Sequence, residues 1–234
     1  MTPRSHRKGE ASAPMHLEHP QPPQADASPR RLPKGWRWVK LGDVIAEAQP
    51  GFASGERDPE GVVQLRMNNV DTRGNLIWDE FIRVPAEPAT IAKYQLVKDD
   101  VVFNNTNSTE LVGKSAFFSG FSEPVVYSNH FTRLRVASDK LDPRYLAAWL
   151  LLQWQSRVFE NLCNRWIGQS AVKSDKLLAL EIPLPPLPEQ QRIAAVLNEQ
   201  MATVEKARAA ALAQLAAIEQ LPGALLRRAF SGEL

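Results

Sequence analysis

Cysteine is nearly absent: Cys163 stands alone in 234 residues. An intramolecular disulfide is therefore excluded, as is any metal site built on clustered thiolates. Long apolar runs are missing too. The longest, Leu146 to Leu152, has seven residues, against about 20 for a membrane span. The N-terminal stretch is basic and proline-rich but lacks the apolar segment of a signal peptide. A cytoplasmic location without a membrane partner is the expectation. Glycine, at 12 residues, is too scarce for a collagen-like chain. Neither sign of charge dominates, with 28 Lys and Arg against 26 Asp and Glu. The whole net +2 comes from residues 1–31, so any nucleic-acid footprint must come from local arrangement.

Catalytic signatures are missing as well. The sequence has no Asn/Asp-Pro-Pro-Tyr/Phe methyltransferase motif, no glycine-rich cofactor fingerprint and no phosphate-binding Gly-x-x-x-x-Gly-Lys-Ser/Thr. Glu-x-Lys, a usual nuclease pattern, does not occur, and no zinc spacing does. His130 has no nucleophile or carboxylate patterned around it, which favours a structural or recognition role over catalysis. His16 and His19, in His-Leu-Glu-His, form an isolated pair in a proline-rich tail. No catalytic residue, metal site or cofactor is expected in this chain.

What is present is a globular composition, 44% hydrophobic and 23% charged, enough for one sizeable core with an extension. Residues 1–31 read as a disordered tail. Residues 32–187 read as a strand-rich domain. Trp38 to Ile45 reads as a short helix or an extended start, and Val62 to Met67 as a strand. Leu76 to Val84 alternates like a half-buried strand, and Val101 to Phe103, Phe117-Phe118 and Val125 to Val136 add more. Asp142 is placed to cap a helix running to Leu162, with Pro143 at its first position. Gly168 to Lys173 reads as a polar linker, and Leu177 to Leu184 as a short helix leading into a strand.

Residues 188–234 form a helical unit. From Glu189 to Leu221 there is neither Pro nor Gly. Leu197, Met201, Val204, Ala211, Leu215 and Ile218 follow the 4-3 spacing of a coiled-coil seam that Arg208 interrupts. At ~1.5 Å per residue this rod is roughly 50 Å long, with Pro222-Gly223 expected to break it before a short helix at 224–230. The seam calls for a partner helix; the alternative is a helix folded back on its own domain. The fold class is thus α+β, a mixed strand-rich domain followed by a long helix.

Four segments in order resemble the specificity subunits of type I restriction-modification systems. Leu32-Pro-Lys-Gly-Trp36 with Val39-Lys40-Leu41-Gly42-Asp43 resembles the start of a target recognition domain, and Val112-Gly113-Lys114-Ser115 its central portion. Ile182-Pro-Leu-Pro-Pro-Leu-Pro-Glu-Gln-Gln-Arg-Ile193 resembles the junction with the conserved helix, and Leu225 to Leu234 the closing segment. Family members typically carry two recognition domains and two long helices. A single set here implies a half-subunit that dimerises through an antiparallel coiled coil, or a remnant of a longer protein. The resemblance implies double-stranded DNA, methyltransferase subunits and motor-restriction subunits as partners. S-adenosylmethionine, Mg and ATP would belong to those subunits alone. A regulatory half-subunit, or the recognition chain of a fused methyltransferase-nuclease, remains an alternative.

DNA reading requires base-edge donors and acceptors with cations for phosphates. Arg66, Asn68 and Asn69 sit where a strand enters a bend; Asn68-Asn69 equally suits a plain turn. Arg73, in the same bend, suits a phosphate. Asn105, Asn107 and Ser108 lie in a run of small polar residues before Lys114, a second phosphate candidate. Asn129, His130, Arg133 and Arg135 fall along one expected strand, where Arg133 and Arg135 share a face with Phe131 and His130 points the other way. Arg165, Gln169 and Lys173 complete the candidate set, beside Trp166, which could line a groove or belong to the core.

Overall fold

The computed structural model describes residues 32–233. Expectations for residues 1–31, the His16/His19 pair included, lie outside the described residues. The chain opens with β1 (Arg37–Lys40), a 3-10 turn and β2 (Ile45–Pro50). β3 (Val62–Leu65) enters a second 3-10 turn at Met67–Asn69, and β4 (Ile82–Val84) follows. Helix α1 (Pro88–Tyr94), not foreseen from the sequence, leads to β5 (Val101–Asn104) and β6 (Thr106–Asn107). Next come β7 (Ser115–Phe117), β8 (Val125–Tyr127) and β9 (Phe131–Val136). Helices α2 (Pro143–Gln155) and α3 (Val158–Leu162) precede a hairpin of β10 (Asn164–Trp166) and β11 (Gln169–Ala171). Helix α4 (Ser174–Leu178) and β12 (Glu181–Leu184) end in α5 (Leu187–Ser231). The fold is α+β, as the sequence suggested.

Four small sheets share the strands. Their orders are β2-β9-β5-β7, β4-β3-β8, β10-β11-β6 and β1-β12. The four-stranded sheet follows from composition: β5 is buried on both faces and β9 over most of its length, so Val101 to Phe103 reads as an apolar run rather than an alternating one. One core packs α2, α3 and the root of α5 against β5 and β9 around Leu134, Leu146, Leu150 and Phe159. A second gathers Val63, Leu65, Val102, Tyr127 and Phe131 between the β3 and β5 sheets.

Several boundaries differ from the sequence expectation. Only Ile82–Val84 of the 76–84 stretch is a strand. Trp78 and Phe81 there turn aside to meet Phe121, at 4.5 and 5.9 Å between centroids. Val125 to Val136 is two strands parted by a turn at 128–130, so Asn129 and His130 are turn residues. The helix from Pro143 has the anticipated cap, since Asp142 Oδ1 accepts from the backbone N–H of Arg144 and Tyr145. It stops at Gln155 because Arg157 takes a left-handed φ of 58° before α3 begins. The expected linker at 168–173 is instead the strand β11 and its continuation. Cys163 is only half-buried, its Sγ 3.3 Å from the carbonyl of Glu160.

Helix α5 departs most from expectation. It runs 45 residues, straight through Pro222-Gly223, about 68 Å at ~1.5 Å per residue. Pro222 costs the bond that would reach the carbonyl of Ile218; on an exposed helix water serves that carbonyl. The helix is fixed at its root by Gln190, which is fully buried. Its Nε2 donates to the carbonyls of Lys140 and Pro185, both at 2.9 Å, and its Oε1 accepts from Asp142 N at 2.9 Å. Further along, Arg73 reaches Glu205 at 3.1 Å. Beyond Glu205 nearly every residue is exposed. By length and composition α5 could also cross a membrane, with mean hydropathy 1.3 over its most apolar 18 residues. Alanine supplies much of that value, while Lys206, Arg227 and Arg228 lie off the apolar stripe.

Candidate nucleic-acid interface

The exposed polar residues gather on a strip built from three segments. The first is the turn after β3. Asn69 locks it: its Oδ1 accepts from Arg66 N at 3.0 Å, and its Nδ2 donates to the carbonyls of Ile77 and Glu80 at 3.0 and 2.7 Å. Arg66 and Asn68 are left exposed on the rim of a polar hollow shared with Arg57, Asp79 and Glu80. The second segment is the 128–130 turn, where Asn129 is exposed and His130 lies close enough to the Arg66 charge to feel it. Burial first, and Arg66 second, hold the His130 imidazole below its usual pKa, so it is neutral at pH 7 and offers a donor and an acceptor.

The third segment is the β10–β11 hairpin. β11 pairs with β6, and Asn105 N donates to the His130 carbonyl at 2.9 Å, linking hairpin and turn. Arg165, Gln169 and Lys173 are exposed here. Arg165 Nη2 also donates to the Glu160 carbonyl at 3.0 Å, which engages one side of its guanidinium. Trp166 is exposed, so the core alternative for it fails.

The remaining candidates are engaged by partners within the protein, with Arg73 and Arg135 still 37% and 35% exposed. Arg133 is 2% exposed. Its guanidinium donates to Glu47 at 2.7 Å and to the Gln95 carbonyl at 3.1 Å. Arg135 does share its face, but it uses that position to bind Glu47 and the buried Asp100, at 3.2 and 2.8 Å. The sequence carried no sign of Glu47, which reaches Arg133 and Arg135 from β2 only through the β2–β9 ladder. Lys114 is buried, its Nζ donating to the carbonyls of Met67 and Val70. Burial lowers its pKa, and it braces the turn that carries Arg66 instead of meeting a phosphate. Arg73 is held by Asp71 and Glu205. Asn69 spends all its hydrogen-bonding capacity on the turn.

The Asn-rich run is scaffold in the same sense. Asn105 Nδ2 donates to the Asn129 carbonyl and Thr132 Oγ1, at 3.2 and 3.1 Å. Asn107 Nδ2 donates to Asn104 Oδ1 at 2.6 Å, and its Oδ1 accepts from Ser108 N at 2.8 Å. The Ser108 carbonyl accepts from the N–H groups of Leu111 and Val112. Gly113 closes that loop at φ 91°, flat against the Phe159 ring, which accounts for the Val-Gly-Lys-Ser segment. Arg57 is the contributor to the strip that the sequence reading missed. It sits in a Gly/Pro loop and nothing local marks it. No group of three or more His, Cys, Asp or Glu able to hold a metal occurs among the described residues.

The helix seam divides in two. Leu197 and Met201 line an apolar groove of about 450 Å³ with Trp36, Tyr145, Trp149 and Leu152, on the protein's own domain. Val204, Ala211, Leu215 and Ile218 lie on the exposed stretch. The folded-back alternative thus describes only the root of α5.

A family model described as the type I restriction modification DNA specificity domain matches residues 33–214. The putative type I restriction enzyme MjaX specificity subunit of Methanocaldococcus jannaschii is 29% identical over 170 residues, 72% of this chain and 40% of that protein. The StySPI specificity subunit of Salmonella potsdam is 26% identical over 206 residues, 86% of this chain and 43% of that protein. The chain thus spans about two-fifths of the length of these relatives. In fold, it is similar to the HsdS subunit of Thermoanaerobacter tengcongensis, with a TM-score of 0.55 and 24% identity over 89% of this chain and 48% of that one. A chain solved in a study of assembly and conformational transition of the type I R-M system aligns with a TM-score of 0.66 and 23% identity, over 89% and 49% of the two chains.

Proposed function

The chain belongs to the type I restriction-modification DNA specificity family, and from that membership we propose that its domain reads one half of a bipartite duplex target while α5 sets the distance to a second reader. The readers are the exposed members of the strip: Arg57, Arg66, Asn68, Asn129, Arg165, Gln169 and Lys173. Arg66 and Asn68 suit bidentate contacts to guanine and adenine edges, and Asp79 or Glu80 suits the cytosine amino group. Lys173 and Arg165 suit phosphates. Asn105, Asn107, Ser108 and Lys114 hold that surface in shape, and Arg133 and Arg135 pin the sheet beneath it.

The observation that carries this reading is the pairing, in one chain, of a family-matched domain with an exposed apolar helix stripe that its own domain leaves uncovered. Val204, Ala211, Leu215 and Ile218 would pair antiparallel with a second copy or with another specificity chain. The stretch 206–231 alone accounts for about 39 Å at ~1.5 Å per residue, a little over one turn of B-DNA at ~34 Å. Methyltransferase chains would dock on the helical region and modify each half-site, drawing on S-adenosylmethionine that they bind themselves. Motor-restriction chains, with ATP and Mg, would act on unmodified DNA.

The test is to express the chain with methyltransferase subunits in a methylation-free host and map modified bases genome-wide. A symmetric split site is expected for a homodimer, and an asymmetric one for a mixed pair. Absence of any methylated motif, with an assembled complex in hand, would overturn the reading and favour a regulatory half-subunit.

A further inference from the structure

The tip of the β10–β11 hairpin carries two large apolar side chains into solvent. Ile167 is 106% exposed and Trp166 is 59% exposed. No other large apolar residue of the compact domain stands as free as Ile167. Ile167 and Gly168 make the turn, with Gly168 at φ 79°, a conformation that suits glycine. The register pairs Trp166 with Gln169, so an indole and an amide share one face of the tip.

The hairpin is braced at its root. β11 also pairs antiparallel with β6, so the tip belongs to a three-stranded sheet. The Ser170 and Thr109 hydroxyls meet at 2.8 Å. Lys176 Nζ donates to the Leu162 carbonyl and Asn164 Oδ1, at 3.0 and 3.2 Å. A tip held in this way can transmit force.

Its size and charge indicate the occupant. Two side chains offer far less area than the roughly 800 Å² per partner of a stable protein interface. They match the apolar wedges that enter a single base-pair step. Arg165 and Lys173, exposed on either side of the hairpin, are placed for the flanking phosphates, and Gln169 for a base edge. The same sheet joins the tip to the strip carrying Asn129, His130 and Arg66.

We propose that Trp166 and Ile167 form an apolar wedge that enters one base-pair step of the bound duplex and unstacks it. This rests on the DNA-reading function proposed above. It adds readout by deformability: a step that unstacks easily, such as TA or CA, is favoured at the wedge position even where no side chain reaches its edges.

The test uses the full chain assembled with its methyltransferase subunits and the duplex it selects from a random pool. 2-Aminopurine is placed at successive positions, and a terminal dye reports binding by anisotropy. The wild type is expected to raise 2-aminopurine fluorescence several-fold at one step in each half-site it reads, apart from the bases that the methyltransferase subunits flip out. The double variant Trp166→Ala, Ile167→Ser, folded by circular dichroism, is expected to bind within about tenfold of wild type without that rise. Tight binding with no rise outside the flipped bases overturns the wedge and leaves the reading function standing. A variant that keeps the rise but no longer retains methyltransferase chains also overturns it, in favour of a protein contact. Absence of any anisotropy change sinks the reading function and the wedge with it.

Discussion

Replacing Leu215 by Glu should abolish self-association without touching the recognition domain. Leu215 is 52% exposed on the outer stretch of α5, and Val204 and Ile218 on the same stripe are 57% and 60% exposed. Burying the exposed half of a leucine against a partner helix is worth about 1 kcal/mol, half the span for a whole side chain. Forcing a carboxylate into that seam costs a further ~1–2 kcal/mol. The two-fold of a homodimer counts each change twice, giving about 4–6 kcal/mol. At ~1.4 kcal/mol per decade, the dissociation constant should rise on the order of 10³–10⁴-fold. Sedimentation velocity over a wide concentration range would measure this. Circular dichroism at 25 °C should show a folded chain, and Lys206→Glu, off the stripe, should leave the constant alone. A Leu215→Glu protein that stays dimeric with wild-type affinity would refute the seam.

Four further outcomes follow from the geometry. Arg66→Ala should weaken or relax binding at one base position by about 1–3 kcal/mol; unaltered affinity across cognate and mismatched duplexes would remove it from the readers. Arg133→Met should instead destabilise the domain by roughly 1–3 kcal/mol in urea titrations, because it removes one donor each from Glu47 and the Gln95 carbonyl and leaves both to Arg135; equal stability with lost DNA binding would reverse its assignment. Gly113→Ala places a methyl into the Phe159 ring at a positive φ and should cost more than ~4 kcal/mol or prevent soluble expression. Tyr145, its hydroxyl 2.6 Å from the Pro183 carbonyl, is pushed up to about 12 by burial. The unfolded phenol ionises near ~10, so the folded state holds the extra proton. Stability from this group is complete below about pH 10 and lost as pH rises toward about 12. Urea midpoints from pH 9 to 11.5 should fall less steeply in Tyr145→Phe, and an identical slope would refute the assignment.

Local chemistry was legible in the sequence where a few neighbouring residues decide the outcome. Asp142-Pro143 announces a helix start, and the unbroken spacing after Pro188 announces a rod. The candidate site was legible only in part, because long-range partners decide which polar groups remain free. Lys114 meets Met67 and Val70 more than forty residues away, and Arg133 meets Glu47 at a separation of 86. Neither distance leaves a periodic trace. Arg66 and Asn68 stay exposed because their neighbour Asn69 satisfies the turn by itself. Pro222 misled for the opposite reason: the rule that proline ends a helix prices one lost bond, and an exposed helix meets that cost from water.

The pairing of β1 with β12 places Arg37 opposite Leu184 and Lys40 opposite Glu181. The two borders of the recognition domain therefore lie side by side, at the foot of the helix. A domain entered and left through one doorway is a cassette. What happens in its interior is mechanically separate from the helix, because the doorway and the Gln190 clamp alone fix where the rod begins.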